Sequence, residues 1–109
     1  MKLKMILAVA AAIALTGCTI APTISQEEID LAKKHLHSKN ALESYIVNYA
    51  DGDYHKAWAR SKTGRAAWAI QRFSQEDAIE HALTICRSGN EKYEKKYPCK
   101  IINLDDEWL

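Results

Sequence analysis

Residues 57–70 read AWARSKTGRAAWAI, and this stretch decides the fold. Residues 61–64 form a turn-like sequence between two short apolar segments, which predicts a β-hairpin. A three-residue loop with Gly64 in the left-handed region sets Trp58 opposite Trp68. Because strand side chains alternate between faces, the tryptophans then share one face. The other face carries Ala57, Ala59, Ala67 and Ala69.

The stretch after the hairpin predicts a helix and then a third strand. Ser74 is typical of a helix N-cap, and Gly89 is typical of a helix end. The charged segment 91–98 predicts an exposed loop, and we expect the apolar run 99–104 to join the hairpin. The apolar stripe of the helix consists of Ala78, Ile79, Ala82, Leu83, Ile85 and Cys86.

The residues before the hairpin predict helical structure. Ser25 begins a capping-box sequence, and Asn40 repeats the helix-start signal. Two helices, or one helix bent at residues 38–40, are both compatible with this pattern. The second part carries an apolar stripe at helical spacing, Leu42, Tyr45, Ile46 and Tyr49.

Together these elements predict an α+β fold in which one or two N-terminal helices precede a ββαβ unit with a small antiparallel sheet and one disulfide. We assign residues 25–109 to a single small domain, which ends in a turn at 105–106 and residues 107–109. Alanine has weak β-propensity, so a helix over 55–72 is the alternative to the hairpin. A domain of this size buries only about 60–65% of its unfolded surface and gains much from a cross-link.

Residues 1–17 have the composition of a secretory signal, with Lys2 and Lys4 followed by an apolar run from Met5 to Leu15. The run is about half as long as the roughly 20 residues that a helix needs to cross a bilayer. We therefore expect a signal peptide over 1–17 rather than a stable membrane span.

The signal ends in Leu15-Thr16-Gly17-Cys18, and here the chain resembles bacterial lipoprotein precursors. The resemblance implies lipidation of the Cys18 thiol and cleavage before Cys18, which makes 18–24 a lipidated tether. Thr19 is not the aspartate that tends to retain such proteins in the inner membrane, so the periplasmic face of the outer membrane is favoured in a Gram-negative host. An ordinary secretory signal with a cysteine near its end is the alternative.

Cys86 and Cys99 remain once Cys18 carries lipid. In an oxidising compartment they predict an intramolecular disulfide, which for a loop of this length contributes about 3 kcal/mol to stability. Two free thiols or one half of a metal site are the alternatives. Neither cysteine has a second Cys or His at the spacing of a zinc site.

The net charge of the chain indicates which classes of binding partner are expected. The chain has 15 basic and 14 acidic residues, and loss of Lys2 and Lys4 leaves the mature chain near neutral. Nucleic-acid binding needs a concentrated basic surface, so we expect no nucleic-acid partner. The same balance argues against polybasic attachment to anionic lipid.

Four histidines are the candidates for metal binding or proton transfer. His35 and His37 point about 200° apart on a helix, so they do not share an ion there. Asp77 and His81 form an i, i+4 pair typical of helix surfaces. With His55, these histidines are expected to be solvent-exposed. The chain has no Gly-rich phosphate loop or nucleophile elbow. We predict no catalytic residues, metal, cofactor or small-molecule substrate.

The aromatic residues Trp58, Trp68 and Tyr54 are a candidate binding patch, because aromatic side chains provide large contact areas at low entropic cost. Core packing is the alternative. The stripe that includes Tyr45 and Tyr49 is available to cover the tryptophan face.

A second resemblance is carried by Lys56-Ala57-Trp58-Ala59, Gly64, Ser74, Ala78, Ala82-Leu83, Cys86, Cys99 and Asp105-Asp106-Glu107-Trp108. From about Leu42 to Leu109 the chain resembles a recurrent cysteine-stapled domain of small bacterial envelope proteins. The resemblance implies no particular reaction. We therefore expect a lipid-anchored envelope protein, non-catalytic, that acts in binding or envelope maintenance and contacts the membrane through its lipid and an envelope protein partner. An immunity-type or inhibitor lipoprotein that neutralises a periplasmic toxin or hydrolase is the alternative.

Overall fold

A computed structural model describes residues 24–109, and these residues have the predicted α+β architecture. The signal peptide and Cys18 lie outside the described residues. A four-stranded antiparallel sheet separates two layers of helices. In chain order the elements are α1 (Gln26–His35), α2 (Lys39–Ser44), a π-helical turn (Tyr45–Tyr49), β1 (Ala57–Arg60), β2 (Ala66–Ala69), α3 (Gln75–Ser88), β3 (Lys100–Leu104) and β4 (Glu107–Trp108).

The β1–β2 hairpin has the predicted register. Trp58 pairs with Trp68, and Gly64 adopts a φ of 98°. The Ser61 amide donates to the Arg65 carbonyl at 2.8 Å, which closes the loop. The alternative of a helix over 55–72 is therefore wrong, because burial of both faces of the strands outweighs the weak β-propensity of alanine.

The strand order is β2-β1-β3-β4, and β3 joins the hairpin beside β1 as predicted. A bulge lies between Trp58 and Ala59, whose partners on β3 are Asn103 and Ile101. β3 then turns back into the short strand β4. Asp105 and Asp106 at this turn both have positive φ, 47° and 72°, as a tight hairpin turn requires. The sequence predicted this turn but not the pairing of β4.

Helix α3 packs on the alanine face of the sheet. Its buried residues are Ala78, Ala82 and Cys86, so small side chains lie on both sides of the interface and the helix approaches the sheet closely. The predicted disulfide is confirmed: Cys86 and Cys99 are bonded and connect the end of α3 to the start of β3. Ile85 is the exception in the predicted stripe, since it is 45% exposed.

The tryptophan face is covered by the N-terminal helices, which are two separate helices. Ser25 caps α1 with the predicted capping box. The cap of α2 is Ser38, not Asn40, because the Ser38 side chain accepts the Ala41 amide. The residues that form this core are Ala32, Leu36, Tyr45, Tyr49 and Trp58, with Leu42, Ile46, Trp68, Ile70, Ile102 and Trp108 partly buried against them.

The π-helical turn departs from the α-helical spacing that the sequence predicts for residues 42–49. It places the rings of Tyr45 and Tyr49 5.3 Å apart, both in the core. The Tyr49 hydroxyl donates to Asn103 Oδ1 at 2.8 Å and so connects the turn to β3. Burial, with a smaller contribution from the Asp106 and Glu28 charges, raises the pKa of Tyr45 to about 12.

Candidate functional site

A groove lies on the tryptophan face of the sheet, between α2 and the β1–β2 hairpin. It consists of two adjoining cavities of about 570 Å³ and about 600 Å³. We call it the tryptophan groove. The residues that line both cavities are Ser38, Ala41, Trp58, Gly64 and Ala66.

The two tryptophans form one wall of this groove. The rings of Trp58 and Trp68 stack with centroids 5.0 Å apart and planes inclined by 8°. Trp58 is fully buried, Trp68 is partly exposed, and both line the cavity of about 570 Å³. Within residues 24–109 the buried Nε1 of Trp58 has no hydrogen-bond acceptor. The pair therefore packs in the core and also lines the groove.

Tyr54, the third residue of the predicted patch, is not part of the tryptophan groove. It is 61% exposed and precedes β1, and its ring lies 5.8 Å from Lys56 Nζ. The negative charge and hydrogen bond of Asp106 raise the pKa of the Tyr54 hydroxyl. The structure thus brings Trp58 and Trp68 together and leaves Tyr54 apart from them.

Buried polar side chains hold the hairpin loop at the edge of the groove. Thr63 Oγ1 donates to Asn90 Oδ1 at 2.8 Å, and Asn90 Nδ2 donates to the Tyr97 carbonyl at 2.8 Å. Ser61 Oγ donates to the same carbonyl at 2.6 Å. A hydrogen bond from Asn90 also lowers the pKa of Glu94. Because these bonds connect the loop to the segment before β3, the groove is pre-formed, as ligand pockets usually are.

Lys56, at the start of β1, is a buried cation. Its side chain is 1% exposed, and Nζ lies 2.8 Å from Asp106 Oδ1. The same ammonium donates to the carbonyls of Tyr49 and Ala50 at 3.1 Å and 3.0 Å, which are acceptors left over at the end of the helical turn. The charge of Lys56 is therefore paired and its three donors are used, as a buried lysine requires.

Asp105 connects α3 and the segment before β1 through three residues. Its carboxylate accepts from Gln75 Nε2 at 2.9 Å and from the Lys56 amide at 2.9 Å, and it lies 3.1 Å from His55 Nδ1. Partial burial opposes ionisation of Asp105, but these hydrogen bonds outweigh it and hold the pKa of the carboxyl below its usual value. In the described part of the chain, Asp105 is the side-chain partner of His55. The pair therefore has an orienting carboxylate but no hydroxyl or thiol nucleophile against the imidazole.

The four histidines differ in their surroundings. The expectation of exposure is wrong for His35, whose ring stacks on Trp108 at 4.4 Å, and for His55, which is only partly exposed beside Asp105. His37 and His81 are exposed. Asp77 does not form the predicted pair with His81, because its ion-pair partner is Arg72.

Asp77 makes its ion pair with Arg72, at 2.9 Å. The hydrogen bond from Arg72 is the largest of the interactions that lower the pKa of Asp77, and the charge of His81 contributes less. Arg72 lies just before α3, and its guanidinium contacts the carboxylate of Asp77 in the first turn of that helix. The i, i+4 spacing had predicted that Asp77 would pair with His81 instead.

Among residues 24–109, no group of three or more His, Cys, Asp or Glu side chains is placed to hold a metal ion. No helix in the same range is long and apolar enough to cross a membrane.

The sequence reasoning missed the polar contacts around Lys56 and Asp105. Lys56 and Asp105 are 49 residues apart, so no local spacing rule relates them. One available signal was the position of Lys56 directly before an apolar strand, where a charged side chain needs a partner. The adjacent pair Asp105-Asp106 after the last long strand was the other.

No protein-family model, curated protein or solved structure matches this chain.

Proposed function

We propose that this protein is a lipid-anchored component of the bacterial envelope and that its domain is a non-catalytic binding module. The tryptophan groove is the observation that carries the binding proposal. The groove is pre-formed, has an aromatic wall and has a polar rim, which together are the features of a ligand site.

The chemistry of the groove favours a protein segment as the ligand. Trp68 is partly exposed and stacks on the buried ring of Trp58, so it supplies an aromatic surface for an apolar side chain. Such residues dominate the energy of protein interfaces. Polar side chains that can hydrogen-bond to a peptide backbone line the groove beside the two tryptophans. These are Ser38, Asn40 and Ser44, whereas the side chains of Thr63 and Asn90 already bond to each other. We therefore propose an envelope protein that inserts a short segment into the groove.

The proposed lipid anchor is Cys18, which lies seven positions before Ser25, the N-cap of α1. A chain of seven residues spans at most about 25 Å. A lipid on Cys18 would therefore keep the groove close to the membrane surface, where the partner is an envelope protein.

Fractionation of cells that produce the Cys18→Ser variant tests the anchor. We expect the wild-type protein in the membrane fraction, with the mass of a chain that begins at a lipidated Cys18. The variant should remain unprocessed and lack the lipid. Normal processing and unchanged lipid labelling of Cys18→Ser would contradict the anchor without bearing on the groove.

Photo-crosslinking in cells tests the groove. Tyr93 lines the groove, and p-benzoylphenylalanine at this position is close in size to tyrosine. We expect a discrete adduct between Tyr93→p-benzoylphenylalanine and one envelope protein. Phe73 is the matched control, because it is an aromatic residue that is 94% exposed and does not line the groove.

The identity of the adduct also decides between the two classes of partner. A toxin or hydrolase in the adduct would favour the immunity or inhibitor function over envelope maintenance. The same adducts from the Phe73 and Tyr93 positions would contradict a specific site in the groove.

A further inference from the structure

Basic side chains outnumber acidic ones at one end of the domain, which also holds Glu91 and Glu94, and acidic side chains outnumber basic ones at the other, which also holds Lys56 and Arg72. The hairpin loop, the end of α3 and the segment before β3 meet at one end, where Thr63 contacts Asn90. The 105–106 turn, the start of α3 and the segment before β1 meet at the other, where Gln75 contacts Asp105. The first end, which we call the basic end, carries Arg60, Lys62, Arg65, Arg87, Lys92, Lys95, Lys96 and Lys100. The other end carries Asp51, Asp53, Glu76, Asp77, Asp105, Asp106 and Glu107.

A hollow of about 260 Å³ lies at the basic end. Four cationic side chains line it together with Tyr97, Pro98 and Ile102. Within residues 24–109, none of the four cations has a carboxylate within 4.0 Å. They are Arg60, Lys62, Lys96 and Lys100.

Two of these cations are held close together by the sheet. Arg60 on β1 and Lys100 on β3 are directly opposite each other in the antiparallel register. Like charges in such a pair destabilise a sheet, because their side chains lie on the same face a few ångströms apart. The Arg60 guanidinium also donates to the His35 carbonyl, so it is fixed in place at the end of α1. An anion in the hollow would remove the repulsion.

Within residues 24–109, neither Glu91 nor Glu94 of the segment before β3 forms an ion pair with the four cations of the hollow. Glu94 accepts hydrogen bonds from Asn90 and from the Cys99 amide, and its ion-pair partner is Arg87 at 3.6 Å. Its carboxylate is therefore used within the segment before β3. The hollow remains a concentrated positive site on a chain that is nearly neutral overall.

We propose that the hollow binds the phosphate of an anionic phospholipid head group. Four cations around a small volume fit one phosphate, which carries the charge and the acceptor oxygens that lysine and arginine bind. Tyr97 is 36% exposed and Tyr93 52% exposed on the neighbouring surface, and tyrosine side chains favour the interface of a bilayer. Lysine clusters next to a membrane attract anionic lipid.

This hollow adjoins the tryptophan groove, because Arg60 and Lys62 line both the hollow and the groove's cavity of about 600 Å³. The proposed phosphate site needs no ligand in the groove. It rests on the proposed function only for the presence of a bilayer within reach of the domain. It departs from the expectation based on net charge, because a near-neutral total is compatible with an excess of cations at one end and an excess of carboxylates at the other.

Vesicle binding by the full chain tests the proposal, with Cys18→Ser in every sample so that no lipid anchor is attached. Sedimentation compares neutral phosphatidylcholine vesicles with vesicles that also contain phosphatidylglycerol. Segment 1–17 contributes equally to all variants and cancels between them. We expect a preference for the phosphatidylglycerol vesicles that falls as the salt concentration rises.

The decisive comparison is between two pairs of lysines. Each lysine near an anionic surface contributes about fivefold to binding, so Lys62→Gln/Lys100→Gln should lower the partition coefficient roughly 25-fold. Lys33→Gln/Lys34→Gln removes the same charge from α1, outside the hollow, and should lower it much less. Lys62→Arg/Lys100→Arg should retain binding. Lys62 and Lys100 are exposed, so circular dichroism should show an unchanged fold in all variants.

Three results would overturn the site. An equal loss in both lysine pairs would mean diffuse attraction without a site in the hollow. No preference for phosphatidylglycerol vesicles would exclude the lipid. Saturable binding of glycerol 3-phosphate without that preference would identify a soluble phosphate ester as the ligand instead. The crosslinking test of the tryptophan groove keeps all lysines unchanged, so its outcome is obtained independently of these results.

Discussion

At the scale of single residues, Lys56 and Asp105 hold together one end of the sheet. Lys56 binds the carbonyls that the π-helical turn leaves without partners, and its charge is paired with Asp106. Asp105 connects the start of β1 to α3 through Gln75. Both residues lie outside the tryptophan groove, and their contacts are fully explained by stability.

Lys56→Met should lower the free energy of unfolding by about 2–4 kcal/mol, because it leaves two buried carbonyls and a carboxylate without their cation. Asp106 is partly exposed and can be hydrated, which keeps the loss below that of a fully buried pair. Urea unfolding monitored by circular dichroism measures the change. Lys100→Met removes an exposed lysine and should change stability by less than about 0.5 kcal/mol. Equal effects of the two substitutions would refute the structural role of Lys56.

The low pKa of Asp105 predicts a specific pH dependence. A carboxyl with a lowered pKa in the folded state contributes stability above its unfolded pKa of about 3.9, and this stability is lost as the pH falls through the folded value. Asp105→Asn should therefore be less stable than the wild type at pH 7. The difference should shrink as the pH falls below about 4. A difference that is constant or grows towards low pH would contradict the hydrogen bonding described for Asp105.

At the scale of elements, the hairpin was predictable in detail and the helical turn was not. The register of Trp58 and Trp68 follows from a short loop and Gly64, which are local features. The first residues of α1 and α3 likewise follow from their serine N-caps. The π-helical turn forms because Tyr45 and Tyr49 both pack against Trp58, a contact made by tertiary structure that no spacing in residues 42–49 encodes.

The Cys86–Cys99 disulfide joins α3 to β3 covalently and stabilises the fold. Cys86→Ala/Cys99→Ala should lower the free energy of unfolding by about 3 kcal/mol, since the bond closes a loop with a sequence separation of 13. Reductant should lower the stability of the wild type by a similar amount and leave the double variant unchanged. Equal stability of wild type and variant without reductant would contradict the cross-link.

At the scale of the whole molecule, the two faces of the sheet have different roles. Its alanine face packs on α3 and holds the disulfide, whereas its tryptophan face forms the second core and one wall of the groove. The sequence predicted both faces but not the groove, because its other wall comes from α2, whose position depends on packing. The uneven distribution of charge between the two ends of the domain also could not be predicted from composition, because residue totals do not say where in the fold each charge lies.

The central claim is that the tryptophan groove receives the partner, and filling it is the most direct test. Ala66 lines both cavities, so Ala66→Leu adds volume where the ligand would lie. The measurement is the yield of the adduct from p-benzoylphenylalanine at position 93, with Thr84→Leu on the exposed face of α3 as control. We predict at least a roughly tenfold loss for Ala66→Leu, corresponding to about 1.4 kcal/mol of binding free energy, and no change for Thr84→Leu. An adduct yield that Ala66→Leu leaves unchanged, in a variant that folds normally, would contradict the claim.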